Sequence, residues 1–308
     1  MSIVSSMSIG LCIPTRNPGR DVQIQVDSIA RQSSRPDQFL VIDSLSTDGS
    51  VQAYAGAGAQ VHVIDPSAFN HGATRQLGVD MLGTDIVVFL TQDAVLAQPD
   101  SLEKLVACFE DESVGIAYGR QLPRAGARAI EAHARLFNYP AEGGNRSLAT
   151  RSELGIKTVF LSNSFAAYRA SALRNVGGFP ADLIMGEDTY VAAKLLLAGG
   201  SLTYCAQAPV FHSHDYRWIE EFRRYFDTGV LHAREPWIRK EFGGLGGEGW
   251  RFLRSELRYM LANDPLLLPS AFVRTALKLA GFKLGLQERR LTVGLKRRLS
   301  MFKPYWNA

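Results

Sequence analysis

Long apolar runs are missing from this 308-residue chain. No stretch approaches the about 18 residues that a membrane-crossing helix needs, which rules out a helical membrane span. Cysteine is scarce. Cys12, Cys108 and Cys205 are odd in number and widely separated, so they suit neither a disulfide framework nor a zinc knuckle and read as reduced core thiols. Met1 to Gly10 lacks the basic start and apolar stretch of a secretory signal. The compositional marks of disorder, collagen and coiled coil are absent as well. So are internal repeats. No G-x-G-x-x-G follows the first apolar run, which disfavours a dinucleotide cofactor, and no G-x-x-x-x-G-K-[ST] exists for a P-loop. A cytoplasmic enzyme is the expected class.

What is present suffices for a large core: 46% of residues are hydrophobic, 21% are charged, and Gly (28) and Pro (13) are unremarkable. The net charge of +4 conceals an asymmetry. Between Arg274 and Lys303 nine Lys/Arg face one acid, Glu288, a local +8 that leaves −4 on the remainder. That is a local anion-seeking segment, not the diffuse basicity of a nucleic-acid-binding domain, so no nucleic-acid partner is expected.

The first third alternates short apolar runs with helical patterns. Ile9 to Ile13, Phe39 to Ile42, Val61 to Ile64 and Ile86 to Leu90 read as strands. Helical spacing follows at Val22 to Ala30 and Thr74 to Leu82, and Asp100 with Glu103 suggests a capping box before another helix. This order predicts an α/β fold with a mostly parallel sheet covered on both faces. Gln121 to Lys157 has weak periodicity and reads as a specificity insert or mobile region. Order resumes near Thr158 to Leu161, then a helix carries Val191, Ala192, Leu195 and Leu196, and Leu202 to Val210 is a further strand. From Tyr216 onward only helical patterns occur, so the expected division is a catalytic domain over residues 1–215 and a helical region with a basic amphipathic tail over 216–308.

Ligands of open α/β sheets bind beyond the carboxyl ends of the strands. Pro14-Thr15-Arg16 follows the first strand, Asp43 ends the second, Gln92-Asp93 follows the fourth and His212 the last. Polar chemistry therefore gathers at one sheet edge.

These residues resemble the inverting family 2 glycosyltransferases of GT-A fold, over roughly residues 9 to 230. Such a fold is a Rossmann-like nucleotide-sugar-binding domain with a mostly parallel sheet, here followed by a helical C-terminal extension. The resemblance implies that Pro14, Thr15, Arg16, Asp43, Arg75 and Gln92 hold the nucleotide, with Asp48 as the second acid of the Asp43 loop. Gly186-Glu187-Asp188 is similar to the family's Glu-Asp motif, which makes Asp188 the base and Glu187 its support. The family's Asp-x-Asp appears here as Thr91-Gln92-Asp93, one carboxylate fewer and so a weaker site for hard cations. Asp93 with His212, or His214 in reserve, would then hold Mg²⁺ or Mn²⁺. Gln-Asp-Ala, Phe69 to Arg75, Phe137 to Pro140, Ser162 to Tyr168 and Tyr305-Trp306 resemble the rhamnosyltransferase branch. The implied reaction moves L-rhamnose from dTDP-L-rhamnose to a saccharide or lipid-linked saccharide acceptor of a bacterial cell-surface glycan such as lipopolysaccharide, O antigen or capsule.

Each of these residues also has a plainer reading. Glu187 and Asp188 begin a helix, where carboxylates suit the macrodipole; Asp43 and Asp93 could be turn formers; and His212 and His214, two apart on one strand face, could be structural. The basic tail either lies on an anionic membrane surface or caps the domain with its cations in solvent. Rival functions are the same fold with a UDP-hexose donor, a sugar-nucleotidyltransferase, and a non-catalytic membrane or carbohydrate-binding protein. The second would ordinarily carry a Gly-rich, basic loop after the first strand, and Pro14 to Gly19 is not one.

Overall fold

The computed structural model describes residues 7–243 and 247–307. Nine strands form one sheet: β1 (Ile9–Thr15), β2 (Gln38–Asp43), β3 (Gln60–Val63), β4 (Ile86–Leu90), β5 (Val95–Leu96), β6 (Val114–Leu122), β7 (Gly144–Arg146), β8 (Phe165–Arg169) and β9 (Ser201–Phe211). Their order is β3-β2-β1-β4-β8-β6-β9-β5, with β7 also on β9. The first four run parallel; β8 is inserted antiparallel between β4 and β6, and β6 and β9 are parallel again. The mostly parallel α/β sheet expected from the sequence is thus the one observed.

The helices before the last strand are α1 (Asp21–Ala30), α2 (Ser50–Gly56), α3 (His71–Leu82), α4 (Ser101–Ala107), α5 (Ala129–Asn138), α6 (Arg151–Leu154), α7 (Ala170–Asn175) and α8 (Glu187–Leu197). All of β4 is buried because alternate side chains enter two cores. Val87 and Phe89 pack with Val79 and Leu82 of α3 and Val191, Leu195 and Leu196 of α8. Ile86, Val88 and Leu90 pack with Val26 and Ile29 of α1 and Leu102, Leu105 and Val106 of α4. Each such side chain contributes about 1.5–3 kcal/mol by leaving water.

Two local expectations are corrected, the capping box before α4 and the irregularity of Gln121 to Lys157. No capping box forms at α4: Asp100 pairs with Lys104 at 2.7 Å, and Glu103 accepts from the Ser33 hydroxyl at 2.6 Å. Where order resumes, Thr158 and Val159 end a 3-10 turn, and strand β8 follows at Phe165–Arg169. Gln121 to Lys157 carries regular structure, with β6 ending in it and α5, β7 and α6 following.

After β9 come α9 (Trp218–Arg234), α10 (Pro236–Phe242), α11 (Glu248–Asn263), α12 (Leu268–Gly285) and α13 (Val293–Leu299). α9 and α12 touch backbone to backbone through glycine. A Cβ on Gly285 would lie 2.1 Å from the Phe226 carbonyl oxygen, and one on Gly281 2.4 Å from that of Phe222. The chain end then folds back. Asp227 on α9 accepts from the backbone N–H groups of Met301 and Phe302 at 2.9 and 3.0 Å, and Trp306 is buried against Ile184, Phe226 and Val230. For residues 300–307 the domain-capping reading of the tail is the observed one. No described helix is long and apolar enough to cross a membrane.

Candidate active site

The carboxyl ends of β1, β2, β4 and β9 meet at one rim, as a parallel sheet requires. Buried Gln25 on α1 fixes the loop after β4, donating to the carbonyls of Thr91 and Ala94 at 2.7 Å each while accepting from the Tyr54 hydroxyl at 2.6 Å. Gln92 turns to the first loop, where its side-chain oxygen accepts from the Thr15 hydroxyl at 3.0 Å and the Arg16 N–H at 2.6 Å. Pro14, Thr15, Arg16 and Gln92 therefore lie in one assembly. Asp48 ties it to the next loop by accepting from the Gly19 and Ser50 N–H groups.

Asp43 is fully buried at the end of β2. One carboxylate oxygen accepts from the Ser46 N–H at 2.9 Å, and the other has no hydrogen-bond partner. Such an orphan is an acceptor that a ligand N–H can satisfy.

Asp93, His212 and His214 offer ligand atoms that all lie within 4.8 Å of one another. The Asp93 carboxylate is 3.3 Å from His212 Nε2 and 3.5 Å from His214 Nδ1. Burial lowers the basicity of both histidines, His214 to about 3, so both rings are neutral with lone pairs available. Burial alone would raise Asp93, but hydrogen bonding to His212 and the charge of either histidine when protonated outweigh it and hold the carboxyl well below its usual range, so the acid ionises before the imidazoles lose their protons. An ionised carboxylate beside two neutral imidazoles is the donor set a divalent cation takes. His212 donates from Nδ1 to the Gln121 side-chain oxygen at 2.9 Å, which Arg135 also engages, leaving Nε2 as the ligating atom. These residues fit Mg²⁺ or Mn²⁺.

At the start of α8, buried Glu187 is held by Arg75 at 3.0 Å and by the Asn163 amide at 2.9 Å. Burial raises its pKa, but Arg75 and His71 outweigh that and keep Glu187 ionised. Its charge, added to burial, pushes Asp188 up to about 6. Gly186 makes this turn possible: its φ is +76°, and a Cβ there would meet Leu231 at 2.5 Å. Arg75, expected to touch the nucleotide, is buried against Glu187 and donates to the His71 carbonyl at 2.9 Å. Its guanidinium supports the acid pair.

Asn163 and Ser164 join the two clusters. Asn163 binds Glu187, and the adjacent Ser164 hydroxyl lies 3.4 Å from His212 Nε2. Neither residue, nor Gln121, had been given a role by sequence reasoning. A polar side chain closing a buried strand is the only signal that could have marked Gln121. Arg224 on α9 reaches the Tyr216 hydroxyl at 3.3 Å, and its charge is felt at His214.

Residues 11–177 match the family described as Glycosyl transferase family 2. The O-antigen chain rhamnosyltransferase RfbN of Salmonella typhimurium is 46% identical over 303 residues, covering 98% of this chain and 96% of that protein. WbaN of Salmonella anatum, likewise an O-antigen chain rhamnosyltransferase, is 44% identical over 302 residues, covering 97% and 96%. Among solved structures, the mannosyltransferase PcManGT from Pyrobaculum calidifontis in complex with GDP-Man and Mn²⁺ superimposes with a TM-score of 0.65 at 18% identity, over 92% of this chain and 88% of that one, a likeness of fold. The chain is a glycosyltransferase of GT-A fold and belongs to glycosyl transferase family 2.

Proposed function

We propose that this enzyme transfers L-rhamnose from dTDP-L-rhamnose to a saccharide acceptor of the O antigen of lipopolysaccharide, with inversion and with the aid of Mg²⁺ or Mn²⁺. The sugar and pathway rest on two relatives named O-antigen chain rhamnosyltransferases, alike over nearly the whole chain. The chemistry rests on one observation: the Asp93–His212–His214 cluster and the Glu187–Asp188 pair are tied together through adjacent Asn163 and Ser164.

In this reading the loops of Pro14, Thr15, Arg16 and Gln92 enclose the nucleoside, and the free oxygen of Asp43 accepts the imide N–H of thymine. Uracil offers the same N–H and guanine a comparable one, so Asp43 alone does not choose among dTDP, UDP and GDP donors. A divalent cation held by Asp93, His212 and His214 would neutralise the diphosphate as it departs. Asp188 takes the proton from the acceptor hydroxyl. The freed oxygen bonds the anomeric carbon as its bond to the diphosphate breaks, so a β-linked donor yields an α-L-rhamnoside. Arg75 and Asn163 hold Glu187 ionised beside the base. The division into a catalytic unit (1–215) and a helical unit (216–308), and a cytoplasmic place at the inner face of the membrane, belong to the same proposal.

The test is calorimetric titration of the purified protein with dTDP-L-rhamnose, UDP-glucose, UDP-galactose and UDP-N-acetylglucosamine, with and without Mn²⁺. Metal-dependent preference for the dTDP sugar is expected. Preference for a UDP sugar overturns the donor, and transfer undiminished by EDTA overturns the metal set.

A further inference from the structure

Helix α12 is built inside out. Its inward side carries Arg274 and Lys278, which lie 2.8 and 3.7 Å from Glu221 on α9. Its solvent side carries Phe272, Val273, Ala276, Leu279, Ala280 and Leu284. At 3.6 residues per turn these span an arc of about 140°. A water-facing helix has the opposite arrangement. Phe272 and Leu279 are 55% and 54% exposed, and Leu266, in the turn leading into the helix, is 90% exposed. A contiguous apolar face of this kind marks a surface that meets something other than water.

Charge decides what it meets. Lys283 lies within the same arc at the last turn, and Arg289 and Arg290 line a cleft of about 360 Å³ with Leu286 and Gln287 just beyond it. The segment's one acid, Glu288, is buried against Arg234 and Lys296, which leaves the exposed cations uncompensated. A second copy on a two-fold axis would set this face against itself, and residues 268–284 offer its cations no acid. An anionic lipid surface takes the apolar face into its acyl boundary and the cations onto its headgroups.

We infer that the outer face of α12, with Leu266 ahead of it and Lys283, Arg289 and Arg290 behind, docks this enzyme on an anionic bilayer. Because α12 meets α9 backbone to backbone, and α9 carries Arg224 at the site rim, docking fixes the orientation of the active site to the membrane. The inference is independent of the donor sugar.

The experiment is co-sedimentation of the full chain with vesicles of equal parts phosphatidylethanolamine and phosphatidylglycerol, and with phosphatidylcholine vesicles. Binding to the anionic vesicles that weakens with salt is expected. Phe272→Ser with Leu279→Ser, both solvent-facing, should keep the parent melting temperature and lose about tenfold or more in partitioning. Replacing Lys283, Arg289 and Arg290 by Gln should cost about fivefold per cation. The inference is overturned if these variants sediment as the parent does, if phosphatidylcholine binds equally well, or if the parent binds neither vesicle. A dimer that the Phe272→Ser, Leu279→Ser variant alone lacks, without vesicle binding, would assign the face to a second copy.

Discussion

Glu187 and Asp188 are adjacent carboxylates with opposite environments. Glu187 has Arg75 and the Asn163 amide, whereas Asp188 has burial and its neighbour's negative charge. The proton therefore belongs on Asp188, the group proposed as base. Its pKa is raised from 3.8 to about 6, and only the ionised form accepts a proton, so turnover should fall as pH drops through about 6. Asp188→Asn should lower turnover by about 10²–10⁴-fold and abolish that acid limb, with dTDP affinity retained; unchanged turnover would remove Asp188 from the mechanism. Gln121→Ala leaves His212 Nδ1 without its acceptor. Mn²⁺ affinity, followed by electron paramagnetic resonance, should weaken about 10–100-fold. Sequence could find Asp93 and His212, because each closes an apolar strand run. It could not find the partner of His212: Gln121 lies in another strand, and only the parallel pairing of β6 with β9 brings the two together. Arg75 illustrates the same limit, since likeness located the residue at the site while packing decided what it touches.

Among the elements, those apolar on both faces were legible, β4 to the residue. β6 and β8 were less so. Val114-Gly-Ile-Ala-Tyr-Gly119 and Phe165-Ala-Ala-Tyr168 carry small residues where alternation should appear, and their place in the sheet rests on neighbours distant in sequence. α5 was missed because its apolar side is defined by α11, which follows much later in the chain. The glycines of α12 had a role invisible in one dimension, as a close approach is a property of two helices. Gly285→Ala places a methyl 2.1 Å from the Phe226 carbonyl oxygen, so the helices must part. A loss of about 1–3 kcal/mol by thermal melting is expected. Gly294→Ala on α13, with nothing within 4 Å of the added carbon, is the control and should be neutral or slightly stabilising.

At the scale of the whole molecule, the chain end supports the segment that carries the proposed base. The Tyr305 hydroxyl donates to the Asp182 carbonyl at 2.9 Å and accepts from Arg234 at 2.6 Å. Trp306 packs on Ile184, two residues before Gly186. The Phe302 ring lies 5.3 Å from that of His71, whose carbonyl receives Arg75, the partner of Glu187. Asp227 fastens this strap through two backbone N–H groups, bonds to a charged acceptor that contribute about 1.5–3 kcal/mol each. Asp227→Ala should therefore release the strap and let residues 182–188 shift. Because small misplacements of a reacting group are costly, kcat should fall roughly tenfold or more. Donor affinity should hold, since the Asp43 pocket lies in the other half of the sheet. Asp227→Asn keeps an acceptor oxygen and should recover most of the rate. If Asp227→Ala lowers the melting temperature while kcat stays at the parent value, the strap stabilises the fold without positioning the base.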